Sequence, residues 1–489
     1  MFGHPRGLAT LFFTEMWERF SYYGMRALLV LYLTSELMKG GFSFSRDHAL
    51  EIYGIFTALV YLTPLFGGFL ADKVLGQRKS IYIGGFLMAA GQLVLSVSQF
   101  GGIEMRTFWL MWGLGLLVIG NGFFKPNISA MVGSLYEEND PRKDSAFTIF
   151  YMGINVGAFF SPIIAGTLGE TCGWGWGFLS AAVGMLAGMI WFFLQSHHIK
   201  AAGLPPGRVL DPTKRWQLNA RDRFEIVGYV IVSALLVLGI LKLWGNIGDT
   251  IKANSLMILG ILGAVVLSVI IATNTKGKQE WSRVFVIIVL CFFNVFFFAG
   301  FEQAGGTMNL FAEANTNRVT IFGTIPASLF QSVNPVFIVL LAPVLSMLWT
   351  WLASKAKEPN IPVKFGLGLI FLGVGFWVMS IAGALSLHGN LVSPLWLVGV
   401  YFIHTLGELC LSPIGLSMIS KLSPQRIVSV MMGFWFACTA LAQYLSGVLE
   451  AILRNYLPSM PLFNFITLSS LSAGVVLLLM SPLLSKMMK

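Results

Sequence analysis

The chain reads Glu-Met-Trp-Glu-Arg-Phe-Ser-Tyr-Tyr-Gly-Met-Arg at residues 15–26, inside a segment that is otherwise apolar. On a helix, the charged and tyrosine residues of this stretch fall on one continuous stripe, because they recur at intervals of three and four. The members of the stripe are Glu15, Glu18, Arg19, Tyr22, Tyr23 and Arg26. Four charges on one face of a membrane helix are costly unless they meet partners or water inside a bundle. The stripe therefore indicates a substrate or ion pathway.

The composition of the whole chain is that of a membrane protein. Of its 489 residues, 56% are hydrophobic and 11% are charged, whereas about a quarter of the residues of a soluble domain are charged. Fourteen apolar segments have the length of about 20 residues that a spanning helix needs. The sequence therefore predicts an all-α membrane protein with fourteen spans, embedded in a lipid bilayer.

The net charge of +10 arises from basic residues that cluster in alternate loops. With the N-terminus inside, most of the 32 Lys and Arg residues lie on the cytoplasmic side, as the positive-inside rule requires. This asymmetry predicts that both termini are cytoplasmic. It also explains the basic excess as a matter of topology, so no nucleic-acid partner is expected.

The longest polar interruption, at 196–222, is rich in Pro, Gly and Arg and is followed by two more apolar segments. It predicts three parts. These are an N-terminal six-helix bundle at 1–200, a linker with two inserted transmembrane helices at 201–280, and a C-terminal six-helix bundle at 281–489. Repeated halves with interrupted helices at equivalent positions are typical of secondary transporters, and Pro64 and Pro343 occupy such positions here.

Three ionisable residues lie well within other predicted spans: Lys125, Glu302 and Glu408. Together with the stripe they give the membrane interior a net charge of −1, which one proton would neutralise. The first half carries the positive excess and the second half the negative excess. A zwitterion between the halves would direct its carboxylate toward Arg26 and Lys125 and its amine toward the two glutamates. The charges therefore indicate a zwitterionic substrate.

Each of these positions has a structural alternative. Glu15 and Arg19 have the spacing of a helix ion pair, and Asn155 and Asn334 have the polarity of residues that join membrane helices. A tryptophan such as Trp435 more often serves in packing than in ligand contact. The stretch 412–415, Ser-Pro-Ile-Gly, is expected to break its helix, and such breaks persist in membranes where they line a cavity or are buried in protein.

Several stretches resemble the motifs of the proton-coupled oligopeptide transporters, a family of the major facilitator superfamily. The residues at 15–24 are similar to its Glu-x-x-Glu-Arg-Phe-x-Tyr-Tyr-Gly motif, and those at 150–157, Phe-Tyr-Met-Gly-Ile-Asn-Val-Gly, resemble its second signature. Further similar blocks lie at 122–127, 301–303, 331–335 and 408–417. Two departures are the phenylalanines at 296–298, where many members carry a Trp, and Ala158, where a hydroxyl residue is usual.

The resemblance implies the major facilitator fold, with two six-helix bundles plus two inserted helices that alternate in access. It implies a symporter that imports di- and tripeptides with protons across the bacterial inner membrane. The monomer would be the functional unit, and no cofactor other than the coupling proton would be needed.

The resemblance also implies roles for individual residues. Those in proton coupling would be Glu15, Glu18, Arg19, Lys125 and Glu302. Those that bind the peptide would be Tyr22, Tyr23, Arg26, Tyr61, Lys125, Asn155, Asn334, Glu408, Ser412 and Trp435. Lys125 with Glu408, and Arg26 with Glu302, would pair across the two bundles.

A membrane enzyme and a channel are the rival classes. The sequence has no His-Glu-x-x-His, no Gly-x-Ser-x-Gly and no phosphate-binding Gly-Lys-Ser/Thr loop, so it lacks these catalytic signatures. No metal site is expected from its Cys and His spacing. A channel needs no balanced set of acids and bases in two halves. Among transporters, the family includes members that carry nitrate and other solutes, but the full Glu-x-x-Glu-Arg motif and Glu408 favour peptides.

Overall fold

The computed structural model describes residues 3–71, 75–137, 140, 142–199, 202–204, 271–321, 323–424 and 427–488. Within these residues the chain is almost entirely helical. Its strands there are β1, Val319–Thr320, and β2, Gly323–Thr324, which pair antiparallel. The two predicted inserted helices lie almost wholly outside the described residues.

The described residues of the N-terminal half form eight α-helices. They are α1 (Arg6–Thr34), α2 (Arg46–Leu62), α3 (Pro64–Leu70), α4 (Gln77–Val97), α5 (Ile103–Ser134), α6 (Lys143–Ser161), α7 (Thr167–Cys172) and α8 (Trp174–Gln195). Two of its predicted spans consist of consecutive helical pieces. α3 continues α2 after Thr63, and a π-helical turn, Pro162–Gly166, joins α6 to α7.

The C-terminal half contains seven described α-helices. They are α9 (Gly277–Phe301), α10 (Thr307–Asn315), α11 (Val333–Ser354), α12 (Ile361–Leu385), α13 (Leu395–Leu422), α14 (Val428–Tyr456) and α15 (Leu462–Met488). Two 3-10 helices matter for the site. Glu302–Gly305 ends α9, and Ala327–Ser332 leads into α11.

Eleven helical stretches of the described residues are long and apolar enough to cross a membrane. They overlap eleven of the predicted spans, and α1 coincides with a twelfth. Each of the eleven has an apolar window with at most two charged residues. α1 is not among them because it carries the charged stripe. The remaining two predicted spans fall outside the described residues, so the total of fourteen and the cytoplasmic termini stay predictions.

Helix α1 packs closely against α6 through glycines of α6. A Cβ atom on Gly157 would lie 2.2 Å from the backbone oxygen of Met16, and one on Gly153 would lie 2.9 Å from the Phe12 ring. Neither position has room for a side chain. The Gly-x-x-x-Gly spacing of these two residues is typical of close helix packing, and here it brings α6 directly beside the charged stripe.

Gly157→Ala should therefore destabilise the protein. Alanine favours helix over glycine by about 1 kcal/mol, but here its methyl group meets backbone atoms of α1, and overpacking typically costs about 1–3 kcal/mol. Thermal unfolding in detergent measures the effect. Gly399→Ala in α13 is the matched control, since nothing lies within 4 Å of its added Cβ. A Tm for Gly157→Ala at or above that of the control would contradict the packing argument.

Contacts divide the chain into two compact units, and each unit takes a short segment from the other half of the sequence. The first unit comprises the N-terminal helices with Ile325–Pro335, and the second comprises the C-terminal helices with Leu50–Ala58. In the second unit, a Cβ on Gly54 would lie 2.9 Å from the Cα of Gly447. This segment of α2 therefore packs backbone to backbone against α14.

In the first unit, Glu170 of α7 caps the 3-10 helix Ala327–Ser332. Its carboxylate accepts hydrogen bonds from the backbone N–H groups of Ala327 and Ser328, each at 2.8 Å, and from the Ser328 hydroxyl at 2.5 Å. A carboxylate at a helix N-terminus satisfies donors that have no partner within the helix. Glu170 thus fixes this segment on the first unit.

Candidate functional site

The charged stripe of α1 forms a buried cluster. Glu15, Glu18 and Arg19 are 2%, 0% and 4% exposed. The Nε–H of Arg19 donates to Glu18 Oε2, and the same nitrogen lies 3.0 Å from Glu15 Oε1. Two carboxylates therefore share one guanidinium nitrogen. The proximity expected from their helical spacing is confirmed.

This cluster has an excess negative charge and an incomplete set of hydrogen bonds. Glu15 Oε2 and Arg19 Nη2 are buried, and neither has a hydrogen-bond partner among the described residues. Burying a charged oxygen without a partner is costly. A proton on Glu15 would remove the excess charge and turn the carboxylate into a donor. The arrangement is therefore suited to binding and releasing one proton.

Asn121 of α5 is a member of the cluster that the sequence did not single out. It is 1% exposed, and its Nδ2 donates to Glu18 Oε1 at 3.4 Å. Its signal in the sequence was its position four residues before Lys125, which puts both side chains on one face of α5.

Each candidate cation of the first unit lies over a tyrosine ring. The guanidinium carbons of Arg19 and Arg26 are 5.5 Å and 5.7 Å from the ring centres of Tyr22 and Tyr23. The Nζ atom of Lys125 lies 4.2 Å from the ring centre of Tyr61. The electron-rich ring faces stabilise the cations. The cationic groups alternate with phenol groups, so this surface offers both positive charge and hydrogen-bond donors to a carboxylate.

Asn155 is 4% exposed in α6 and turns back on its own helix. Its Nδ2 donates to the backbone oxygen of Tyr151, one turn earlier, at 2.9 Å. The Nδ2 group of Asn155 therefore does not join α6 to a second helix. Joining two helices was the structural alternative considered for this residue. Asn334 is half-buried as the second residue of α11 and belongs to the first unit.

Two candidate residues of the second unit lie on one face of α13, and a third packs beside that face. Glu408 and Ser412 are half-buried one turn apart, and Ser412 Oγ has no hydrogen-bond partner among the described residues. A Cβ on Gly415 would lie 2.4 Å from the ring of Trp435, which is itself 6% exposed in α14. The missing side chain at 415 makes room for the indole. Trp435 thus extends the face that carries Glu408.

Glu302 is placed by the end of a helix. It is 6% exposed and begins the 3-10 turn that terminates α9. It belongs to the second unit, as Glu408 does, whereas Lys125 and Arg26 belong to the first. The expected pairs of Lys125 with Glu408, and of Arg26 with Glu302, stay predictions.

The expected helix break at Ser412-Pro-Ile-Gly415 is wrong. α13 runs without interruption from Leu395 to Leu422. A proline in a helix removes one hydrogen bond and its ring crowds the carbonyl of residue i−4, but membrane helices tolerate it where neighbouring groups satisfy the released carbonyl. Glu408 is therefore presented by a continuous helix and not by the edge of an unwound segment.

Comparisons with known proteins show similarity over the full length of the chain. A family model described as the POT family matches residues 78–461. The chain is 38% identical to the peptide transporter YePEPT of Yersinia enterocolitica, over 99% of this chain and 95% of that protein. It is 34% identical to a di-/tripeptide transporter of Lactococcus lactis, over 100% and 97%.

A solved structure is also similar to this chain over its full length. The crystal structure of a peptide transporter POT in complex with sulfate superposes with a TM-score of 0.86 at 38% identity, covering 100% of this chain and 97% of that one. The likeness therefore extends well beyond the quoted motifs.

Proposed function

Because the chain belongs to the POT family of transporters, we propose that it is a symporter that imports di- and tripeptides together with protons. It is a multi-pass membrane protein, and its bacterial relatives indicate the inner membrane. The observation that carries the proposal is the buried cluster of Glu15, Glu18 and Arg19, which holds two carboxylates for one guanidinium and, among the described residues, a carboxylate oxygen without a hydrogen-bond partner.

The proton is assigned to this cluster by charge balance. With both glutamates ionised, Glu15, Glu18 and Arg19 sum to a charge of −1, and Lys125 is a further cation that acts on Glu15. One added proton makes these three residues neutral, while Glu18 keeps its hydrogen bond from Arg19 Nε and Glu15 Oε1 stays 3.0 Å from the same nitrogen. Membrane interiors penalise unbalanced charge. Proton binding thus changes the charge of the first unit without dismantling its structure.

The peptide termini are assigned by the distribution of charge between the units. Arg26 and Lys125 of the first unit, each over a tyrosine ring, offer cations to a carboxylate. Glu302 and Glu408 of the second unit offer anions to an ammonium group. Both ends of a zwitterionic peptide thereby find an opposite charge. Alternating access of the two bundles then carries the peptide across, with a single chain as the transporting unit and no cofactor other than the proton.

Uptake into proteoliposomes tests the proposal. With an imposed pH gradient, acidic outside, the protein should accumulate a labelled dipeptide, and addition of peptide should acidify the lumen. Di- and tripeptides should compete with the label, whereas tetrapeptides, nitrate and single amino acids should not. Peptide entry that is independent of the gradient and never exceeds equilibrium would identify a channel and overturn the proposal.

A further inference from the structure

A groove of about 1030 Å³ lies between α4 and α8 of the first unit. Its walls are apolar side chains: Ile83, Phe86 and Leu87 from α4, and Met189, Ile190 and Phe193 from α8. Phe86, Ile190 and Phe193 are more than half exposed, so the groove opens on the outer side of these helices. In a membrane protein such a surface faces hydrocarbon. None of the candidate transport residues lines it.

One end of the groove is basic and polar. It is lined there by Arg78, Lys79, Tyr82 and Ser196. Arg78 is the second residue of α4, and a residue at the end of a span lies at the boundary between membrane and water. The groove therefore runs from a cationic end at the bilayer surface along an apolar wall.

The cationic end is held in position by the chain itself. Arg78 Nε donates to the backbone oxygen of Ala202 at 2.8 Å, and the backbone N–H of Arg78 donates to Gly203 O at 3.1 Å. Gly203 has a φ of +77°, and a Cβ there would lie 3.2 Å from Arg78 Cγ. At the same end of the groove, the Ser196 hydroxyl donates to the backbone oxygen of Phe193 at 2.9 Å. Lys79 is 2% exposed.

We propose that this groove binds one anionic phospholipid, with its phosphate at Arg78 and Lys79 and an acyl chain along the wall of Phe86, Ile190 and Phe193. Two cations at the membrane boundary match the charge of a headgroup phosphate, and the apolar wall matches an acyl chain. Basic pockets between transmembrane helices recognise anionic headgroups in this way. The volume equals the upper end of ordinary small-molecule sites, about 1,000 Å³, which leaves room beyond a headgroup.

Native mass spectrometry of the purified full-length protein, titrated with phosphatidylglycerol or phosphatidylcholine, tests this site. The first phosphatidylglycerol should bind more tightly than phosphatidylcholine. Arg78→Gln should weaken phosphatidylglycerol binding about tenfold, the effect of losing one hydrogen bond to a charged group. Arg78→Lys, which retains the charge, should keep most of the preference. Lys355→Gln is the matched control, because Lys355 lies over the Trp351 ring and outside the groove.

A second variant fills the apolar part and leaves every charge in place. Ile190→Trp should weaken the binding of both lipids, and it decides the question if Arg78→Gln does not fold. Equal affinity of the unmodified protein for the two lipids, or unchanged phosphatidylglycerol binding in Ile190→Trp, would overturn the proposal. Displacement of phosphatidylglycerol by inorganic phosphate at equal concentration would also overturn it, by showing an anion site without an acyl chain.

Discussion

Replacement of Glu18 by Gln should abolish peptide uptake driven by a proton gradient and leave peptide exchange measurable. Glu18 is fully buried, and its two oxygens accept hydrogen bonds from Arg19 Nε and Asn121 Nδ2. Glutamine keeps an acceptor for Arg19 but removes one negative charge. The cluster is then neutral without a proton, so its charge no longer depends on the gradient. Exchange of peptide for peptide needs no net proton movement and therefore continues.

The measurement compares gradient-driven accumulation with counterflow in the same proteoliposomes. Glu36→Gln is the matched control: this residue pairs with Lys39 at 3.5 Å while both side chains are about 70% exposed. Exposed pairs contribute little, so both assays should be unchanged. If Glu18→Gln accumulates peptide at the normal rate, the buried cluster has a structural role only.

Glu408→Gln should weaken the binding of peptides with a free amino terminus at least tenfold. It should also largely remove the discrimination against peptides whose amino terminus is acetylated. The proposed function assigns the ammonium group to the carboxylates of the second unit. Loss of one partner of a desolvated charge pair costs about 2–5 kcal/mol, and 1.4 kcal/mol corresponds to a factor of ten. Glutamine preserves size and hydrogen bonding, so the charge alone is tested.

Competition assays with matched free and acetylated dipeptides provide the measurement. Ser412→Ala is the control, since Ser412 lies one turn along the same face of α13 and carries no charge. It should affect free and acetylated peptides to the same small extent. An equal loss of affinity for both peptides in Glu408→Gln would show that this carboxylate does not recognise the amine.

The α1 cluster could be predicted from the sequence because helical periodicity alone places its residues on one face. Close packing of α6 is indicated for a similar reason, since glycines four apart leave a flat strip, but the sequence does not identify α1 as the partner helix. Asn121 was missed because its partner, Glu18, is 103 positions away, and periodicity gives no information on contacts between distant segments.

The helix break after Glu408 was predicted wrongly because Pro413 was expected to end the helix, whereas α13 continues through it. Local sequence shows the missing hydrogen bond, but the tertiary surroundings decide whether the helix ends there. The sequence carries no signal that Ile325–Pro335 belongs to the first unit. The placement of this segment depends on hydrogen bonds from Ala327 and Ser328 to Glu170, and these residues have no common motif.

The Glu170 cap also has a consequence for biosynthesis. Glu170 accepts its hydrogen bonds from residues 157 and 158 positions later in the chain. At about 5–20 residues per second, the ribosome delivers those residues roughly 8–30 s after Glu170. Leu50–Ala58 has to await α14 in the same way. Neither unit can complete its folding when its own half leaves the ribosome, because each contains a segment of the other half. The two halves therefore complete their folding together, late in synthesis.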